Sequence, residues 1–158
     1  MKFHLKQLKA TDAKSIKDIY DLVFPPSMNK DLHTAWRWRL DDLCLGSFTS
    51  QGDLVGFILC DVGGYRFESI YVNFIAVHPD FQQYGIGSTL IKSILQKAIN
   101  ERKSVSLTPV PVKYIQSWYS KHGFYITHIE KANEGGDFIL MNFHSYLTRK
   151  QLPYLMKL

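Results

Sequence analysis

The sequence predicts an α/β fold with a mixed, mostly antiparallel central sheet of about seven strands, flanked by about four helices. Apolar residues recur with strand and helix periods in the order βααβββαβαββ along the 158 residues. The strand, helix and strand of residues 68–108 form one right-handed crossover unit. Short turns join the strands before and after it, as in antiparallel pairs. Because no repeat, linker or low-complexity segment is visible, residues 1–158 are expected to form one domain, with residues 144–158 as a C-terminal tail.

The chain is predicted to begin with a strand and a helix. Phe3 to Leu8 alternates weakly and predicts the strand. Thr11 or Asp12 can cap the helix. The segment Phe24-Pro25-Pro26-Ser27-Met28 ends the helix, because proline cannot continue it. The apolar face of this helix consists of Ile16, Ile19, Tyr20 and Val23.

A second helix and a strand pair are predicted next. The helix begins near Asn29 or Asp31, and its apolar residues are Leu32, Ala35, Trp36 and Leu40. Leu43 to Thr49 and Leu54 to Val62 form the strand pair, turned at Ser50-Gln51-Gly52-Asp53. Gly63-Gly64 makes a further turn.

The strand of residues 68–77 and the helix of residues 86–102 lie at the centre of the prediction. In the strand, Ile70, Val72, Phe74 and Ala76 alternate with Tyr71, Asn73, Ile75 and Val77, a pattern that suits a strand buried on both faces. Ser104 to Thr108 follows as a short strand, closed by Pro109 and Pro111.

The C-terminal third is predicted to hold one helix and a hairpin. The helix runs from about Val112 to His122, with Gly123 as its C-cap. Phe124 to Glu130 and Asp137 to Phe143 pair around Asn133-Glu134-Gly135-Gly136.

The loop between the central strand and its helix has the features of an anion site. It reads Val77-His78-Pro79-Asp80-Phe81-Gln82-Gln83-Tyr84-Gly85-Ile86-Gly87-Ser88. A glycine-bearing loop that opens a helix presents unpaired backbone N–H groups, and the helix dipole adds partial positive charge there. These features favour a phosphate or pyrophosphate. The alternative is an ordinary turn that needs glycine only for its backbone angles.

The spacing Gln82-x-x-Gly85-x-Gly87 resembles the acetyl-CoA signature of the GNAT superfamily of N-acetyltransferases. In that family, the pattern is Arg or Gln, two residues, Gly, one residue, and Gly or Ala, and its amides hold the pyrophosphate of coenzyme A. The resemblance implies a sheet splayed between the fourth and fifth strands, with the thioester near residues 75–77 and 108–110. It implies pyrophosphate contacts from Gln82, Gln83, Tyr84, Gly85, Ile86, Gly87 and Ser88. It implies pantetheine contacts from the backbone of Ile75, Ala76 and Val77.

A second segment, Trp118-Tyr119-Ser120-Lys121-His122-Gly123-Phe124, resembles the aromatic-Tyr-x-x-x-Gly-Phe segment of the same family. There, the tyrosine often stands beside the coenzyme sulfur as general acid, and Tyr119 occupies its position. The alternative is that Tyr119 only packs one helix face. The chain departs from the family at Val112 and Ile115, where an asparagine and a small residue are common.

The general base is not evident. Many family members carry an acid late in the fourth strand, and Asn73 stands in that place. Asn73 either holds a catalytic water or is paired with another polar side chain. Glu68, His78 and Asp80 remain candidate bases, and we expect Glu68 to act through water.

The acceptor of the acetyl group is not identified by the sequence. We expect a small-molecule amine or peptide, in a pocket walled by residues 24–28, to which Trp36, Trp38 and Tyr65 contribute. The net charge of +5 permits a nucleic acid, yet the basic residues are dispersed, so nucleic acid is not favoured. Two alternatives stay open: an acetyltransferase of a macromolecule, such as a protein N-terminus, a lysine or aminoacyl-tRNA, and a non-catalytic acyl-CoA-binding module.

Composition excludes several other classes. No apolar run approaches the ~20 residues that span a bilayer, and the six histidines are scattered without metal-ligand spacing. Cys44 and Cys60 lie in apolar surroundings and are predicted to be buried free thiols of a cytoplasmic protein. A homodimer, as is common in the family, is compatible with the apolar, basic tail.

Overall fold

The computed structural model describes residues 1–26, 29–62, 69–110, 113–131 and 137–144. Its strands are β1 (Phe3–Gln7), β2 (Leu45–Thr49), β3 (Leu54–Val62), β4 (Ser69–Val77), β5 (Ser104–Leu107), β6 (Tyr125–Lys131) and β7 (Asp137–His144). Its α-helices are α1 (Ala13–Val23), α2 (Asn29–Arg37), α3 (Ile86–Glu101) and α4 (Lys113–Lys121). The predicted tail beyond residue 144 and the turns at 63–64 and 133–136 lie outside the described residues.

The strands form a seven-stranded sheet in the order β1-β2-β3-β4-β5-β7-β6. β1 pairs antiparallel with β2, from Phe3 opposite Thr49 to Gln7 opposite Leu45. β7 pairs antiparallel with both β5 and β6, whereas β4 and β5 are parallel. The predicted fold class, a mixed and mostly antiparallel α/β sheet with flanking helices, is confirmed.

The chain divides into two compact units. The first comprises residues 1–62 and 72–94. Here α1 and α2 pack on β3, because the apolar positions of each helix recur every three or four residues and so share one face. At the centre of this core, the Tyr20 ring lies 4.9 Å from the Phe24 ring and 5.2 Å from the Phe74 ring.

The second unit comprises residues 63–71 and 95–158. Its described hydrophobic core consists of Ile70, Leu95, Ala98, Val105, Leu107, Tyr119, Phe124, Tyr125 and Met141. Gly123 has a φ of +93°, and the N–H of Phe124 donates to the Tyr119 carbonyl at 3.2 Å. The predicted glycine C-cap of α4 is therefore confirmed.

Four predicted details differ from the structure. The second helix does not reach Leu40, because α2 ends at Arg37. Asp12 stands at the N-cap of α1, as predicted, but its side chain makes no capping hydrogen bond there; its Oδ2 accepts from the Lys9 N–H at 2.8 Å, in the 3₁₀ turn Ala10–Asp12 that precedes the helix. Leu43 lies in a second 3₁₀ turn, so β2 starts only at Leu45. β4 is fully buried on one face only, since its residues alternate between buried and half-buried from Ser69 to Val77.

Candidate functional site

The loop after β4 is more ordered than the predicted turn. Pro79–Tyr84 form a 3₁₀ helix, Gly85 adopts a left-handed conformation with φ +72°, and α3 begins at Ile86. The side-chain amide of Gln82 donates to the Val77 carbonyl at 3.2 Å, which ties the loop to the end of β4. This hydrogen bond and the left-handed Gly85 together define the path of the loop into α3.

Hydrogen bonds around His78 fix the start of the same loop. The His78 N–H donates to the Val55 carbonyl of β3 at 2.8 Å, and the Phe81 N–H donates to the His78 carbonyl at 2.8 Å. The His78 Nδ1 accepts from the Asp80 N–H at 3.1 Å. Since this nitrogen is engaged within the loop, His78 helps to shape the loop, and its role as a base stays a prediction.

Gly85 is the residue that opens the loop to solvent. A positive φ strains any residue with a β-carbon, and a β-carbon built on Gly85 would meet no atom within 4 Å. The first N–H groups of a helix have no partner within it, and such groups favour an anion. The role of the amides that open α3 in binding a pyrophosphate stays a prediction.

An aromatic cluster supports the loop from outside. The Phe3 ring of β1 lies 5.5 Å from the Tyr84 ring and 6.1 Å from the Phe81 ring. The Phe81 ring in turn lies 5.7 Å from His78. Sequence reasoning missed this cluster. Two aromatic residues in a polar turn were the available signal, but nothing in the sequence pointed to Phe3 as their partner.

On the half-buried face of β4, Asn73 has a carboxylate partner. Its Nδ2 donates to Oδ2 of Asp61, on β3, at 2.9 Å. Burial raises the pKa of Asp61 above 3.8, and the hydrogen bond from Asn73 offsets part of that rise. Asp61 was missed by sequence reasoning, although an acid inside the apolar strand Leu54–Val62 was a usable signal.

Tyr119, the candidate general acid, lies in the second unit. Tyr119 is buried on α4, with its ring 5.0 Å from the Trp118 ring and 5.6 Å from the Phe124 ring. Beyond the end of β5, the Thr108 hydroxyl accepts from the Tyr71 hydroxyl at 3.1 Å. Tyr119 thus has the packing expected of a core residue, and its role as an acid stays a prediction.

The structure brings most of the predicted coenzyme contacts into one unit. Residues 75–77 and 82–88, together with Asn73, all belong to the first unit. Glu68, Tyr65 and Val112 lie outside the described residues. Asp80 is exposed in the 3₁₀ helix.

The two tryptophans predicted for the acceptor pocket differ in their surroundings. Trp36 lines a cavity of about 240 Å³ formed with Ala13, Ile16, Lys17, Leu32 and His33. The Arg39 guanidinium lies 3.8 Å above its ring, a cation–π contact. Trp38 is 65% exposed. Trp36 is therefore fixed by its packing, whereas the Trp38 ring faces solvent.

Neither cysteine has the properties of a nucleophile. Both thiols are free and buried, as predicted. The Cys60 N–H donates to the Cys44 sulfur at 3.4 Å. Burial raises the pKa of Cys44 to about 11 and that of Cys60 well above 9.0. Because the thiolate is the reactive form, both thiols are poorly suited to carry an acyl group at neutral pH.

A sequence profile of the acetyltransferase (GNAT) family matches residues 13–124, more than half of the chain. The chain belongs to the GNAT family of acetyltransferases. A curated relative of this GNAT chain is the tRNA(Met) cytidine acetyltransferase TmcA of Haemophilus ducreyi, which is 30% identical over 98 residues. That match covers 56% of this chain, and the chain spans only 16% of the length of that relative.

Solved structures similar to this GNAT chain share its fold. The ribosomal-protein-S18-alanine N-acetyltransferase from Escherichia coli has a TM-score of 0.75 and 20% identity, with 93% of this chain and 96% of that chain covered. A GNAT family acetyltransferase from Elizabethkingia anophelis, solved with acetyl-CoA bound, has a TM-score of 0.73 and 20% identity, with 90% and 97% covered.

Membrane-spanning helices and metal-ligand groups are both absent from the described ranges of this GNAT chain. None of the helices there combines the length and hydropathy needed to cross a bilayer. The same residues contain no group of three or more His, Cys, Asp or Glu side chains placed to hold a metal ion.

Proposed function

We propose that this GNAT acetyltransferase moves an acetyl group from acetyl-CoA to a primary amine, by direct transfer while both substrates are bound. The observation that carries the proposal is the loop before α3, where left-handed Gly85 leaves the helix N-terminus open. Acetyl-CoA supplies the activated acetyl group as a thioester. The buried, high-pKa cysteines support direct transfer over an acyl-cysteine route.

The residues act in three ways in this proposal. The amides of residues 82–88 bind the pyrophosphate, helped by the dipole of α3. The backbone of Ile75, Ala76 and Val77 orients the pantetheine and the thioester oxygen. Tyr119 gives a proton to the departing sulfur, since a phenol is still protonated at neutral pH.

A macromolecular acceptor is the second candidate. The similarity to a tRNA(Met) cytidine acetyltransferase and the net charge of +5 support it. Filter binding of total tRNA at 50 and 200 mM salt tests it, because a protein that contacts six to ten phosphates loses about 10³–10⁵-fold in affinity over that range. Weak binding with little salt dependence leaves a small amine or a peptide as the acceptor.

The melting temperature, measured against acetyl-CoA concentration, tests the donor site. A ligand at 100 times its dissociation constant stabilises the folded state by about 2.7 kcal/mol. Gly85→Glu should abolish this rise, because its side chain and negative charge enter the space assigned to the pyrophosphate. No rise in the native protein at saturating acetyl-CoA would refute the proposal.

Gly52→Glu is the matched control for that substitution. Gly52 has a φ of +90° in the turn between β2 and β3, and a β-carbon there would also meet no atom within 4 Å. Both variants therefore carry a comparable backbone strain of about 1–2 kcal/mol. Only Gly85→Glu should lose the acetyl-CoA effect, and an equal loss in both would contradict the site. Release of free thiol on adding amines then separates an enzyme from a non-catalytic acyl-CoA-binding module.

A further inference from the structure

We propose that Asp61, held by Asn73, is the general base that removes the proton from the acceptor amine; this inference rests on the proposed acetyl transfer. The Nδ2 of Asn73 donates to Oδ2 of Asp61 at 2.9 Å. Asn73 stands on β4 where the family commonly carries an acid. The hydrogen bond joins Asp61 on β3 to Asn73 on the neighbouring strand β4, so in this proposal β3 supplies the carboxylate and Asn73 is its positioning residue.

The pair is well placed for this role in the first unit. Asn73, Ile75 and Val77 share the half-buried face of β4, and residues two apart on a strand lie about 7 Å from each other. Asn73 therefore lies one such step from Ile75, whose backbone is assigned to the thioester. One amide hydrogen bond fixes Asp61, and the other carboxylate oxygen remains to accept a proton.

The proton balance of the step is complete. A protonated amine gives one proton to the Asp61 carboxylate, and the electron pair stays on nitrogen. That pair forms the C–N bond to the acetyl carbon while the C–S bond breaks, with its electrons leaving on sulfur. The sulfur takes its proton from Tyr119, as in the proposed function, and the second proton from nitrogen restores the Tyr119 phenol. Asp61 returns the first proton to water.

The pKa of Asp61 makes it better suited to act as a general base than an exposed aspartate. Burial raises its pKa, with the Asn73 hydrogen bond as the opposing effect. A base is more effective as its pKa approaches the working pH. Among the described residues, the ionisable groups near this end of β3 include the thiols of Cys60 and Cys44, the Asp42 carboxylate, and the pair of Arg39 with Asp41, joined at 3.0 Å. The two thiols stay neutral at neutral pH and below, because burial raises the pKa of each.

The first test measures the Asp61 carboxyl directly and needs no acceptor. Protein labelled with ¹³C at the aspartate carboxyls is titrated by NMR, and the Asp61 signal is assigned by its loss in Asp61→Asn. We expect its titration midpoint above 3.8, and a higher midpoint in Asn73→Ala, since the amide that favours the charged form is gone. An Asp61 midpoint that is the same in native protein and Asn73→Ala would overturn the positioning role.

The second test follows thiol release from acetyl-CoA with alanine amide as the probe amine. Asp61→Asn should lower the rate about 10²-fold or more, while the rise of melting temperature with acetyl-CoA stays native. Asp53→Asn is the same change at an exposed position directly before β3. It should alter neither the rate of thiol release nor the rise of melting temperature with acetyl-CoA. In Asn73→Ala, the acid limb of the pH–rate profile should move to higher pH.

The outcomes separate this inference from the proposed function. Absence of thiol release in the native protein would refute transfer to amines, and the base with it. Thiol release in Asp61→Asn within twofold of the native rate would overturn only the role of Asp61. Joint loss of thiol release and of acetyl-CoA binding in Asp61→Asn would also overturn it, because the residue would then be structural.

Discussion

Gly56 of β3 allows the start of α3 to pack closely on the sheet, directly after the loop of residues 78–85. A β-carbon on this residue would lie 2.9 Å from Cγ2 of Ile86, 3.2 Å from the Ala76 carbonyl oxygen and 3.5 Å from Cδ1 of Leu90. Ile86 is the first residue of α3 and follows Gly85. The branched Cγ2 is close to the backbone and the carbonyl is part of it, so neither can turn aside. Gly56→Ala must therefore displace the start of α3.

The size of the effect follows from these contacts. Overpacking a core costs about 1–3 kcal/mol, and replacing a strand glycine by alanine returns about 0.5–1 kcal/mol of backbone entropy. The net loss is centred on about 1.25 kcal/mol in the free energy of unfolding, within a range of ~0–2.5 kcal/mol, and the central value corresponds to ~3–5 °C in melting temperature for a chain of this length. The displacement needed is about 0.5 Å, which weakens the hydrogen bonds proposed between the first amides of α3 and the pyrophosphate. Loss of one such bond to a charged group, about 1.5 kcal/mol, lowers the acetyl-CoA affinity about tenfold.

Calorimetric titration of acetyl-CoA and thermal melting measure the two effects, with Gly46→Ala as the control. A β-carbon on Gly46 would lie 2.6 to 2.8 Å from the side-chain ends of Leu54, Leu8 and Phe48, away from α3. Gly46→Ala should therefore destabilise the protein but leave its acetyl-CoA affinity native. If Gly56→Ala lowers stability with unchanged affinity, the start of α3 does not position the coenzyme.

Three further predictions concern single side chains. Tyr119→Phe keeps the ring in its core and should retain the melting temperature while thiol release falls about 10²-fold; equal rates would make Tyr119 a packing residue only. Cys44 and Cys60 should react with a thiol reagent only after denaturation, because burial raises the pKa of Cys44 to about 11; fast labelling of the native protein at neutral pH would contradict this. Phe3→Ala should weaken acetyl-CoA binding, since each aromatic contact to Tyr84 and Phe81 is worth about 0.5–1.5 kcal/mol; a native affinity would mean that the loop holds its own shape.

The parts of the fold that depend on local pattern could be predicted from sequence. The strand over Leu54–Val62 and the start of α3 at Ile86 were predicted to the residue, because apolar periodicity marks both. The turn into α3 was also predictable, since Gly85 stands in a polar segment directly before a helical apolar pattern; its binding of a pyrophosphate stays a prediction. The end of α1 at Val23 follows from the prolines after it, and the end of α4 at Lys121 follows from Gly123, because the backbone limits of proline and glycine act within a few residues.

The missed features are side-chain pairs across strands. Asp61 and Asn73 are 12 residues apart in the sequence. Phe3 and Tyr84, whose rings are in contact, are much farther apart in the sequence of the first unit. Such contacts depend on strand order and register, which local pattern does not specify. The side-chain capping bond of α1 is absent for a related reason, because Asp12 had a second backbone donor, the Lys9 N–H, within reach.

The pairing of Asp61 with Asn73 also bears on whether the chain is a catalyst. The non-catalytic module is favoured by two departures from the family, an amide in place of an acid at Asn73 and the replacement of an asparagine at Val112. The first argument weakens once a carboxylate lies 2.9 Å away. Asp61→Asn/Asn73→Asp exchanges the two groups and tests this directly. The exchange keeps one acid and one amide, so we expect thiol release to recover about tenfold over Asp61→Asn, which lacks the acid. In this proposal the general base is a carboxylate on this face, whichever of the two strands carries it. Recovery of thiol release in the double variant would therefore assign general-base catalysis to the pair of Asp61 and Asn73. A double variant no faster than Asp61→Asn would show that the carboxylate must stand on β3.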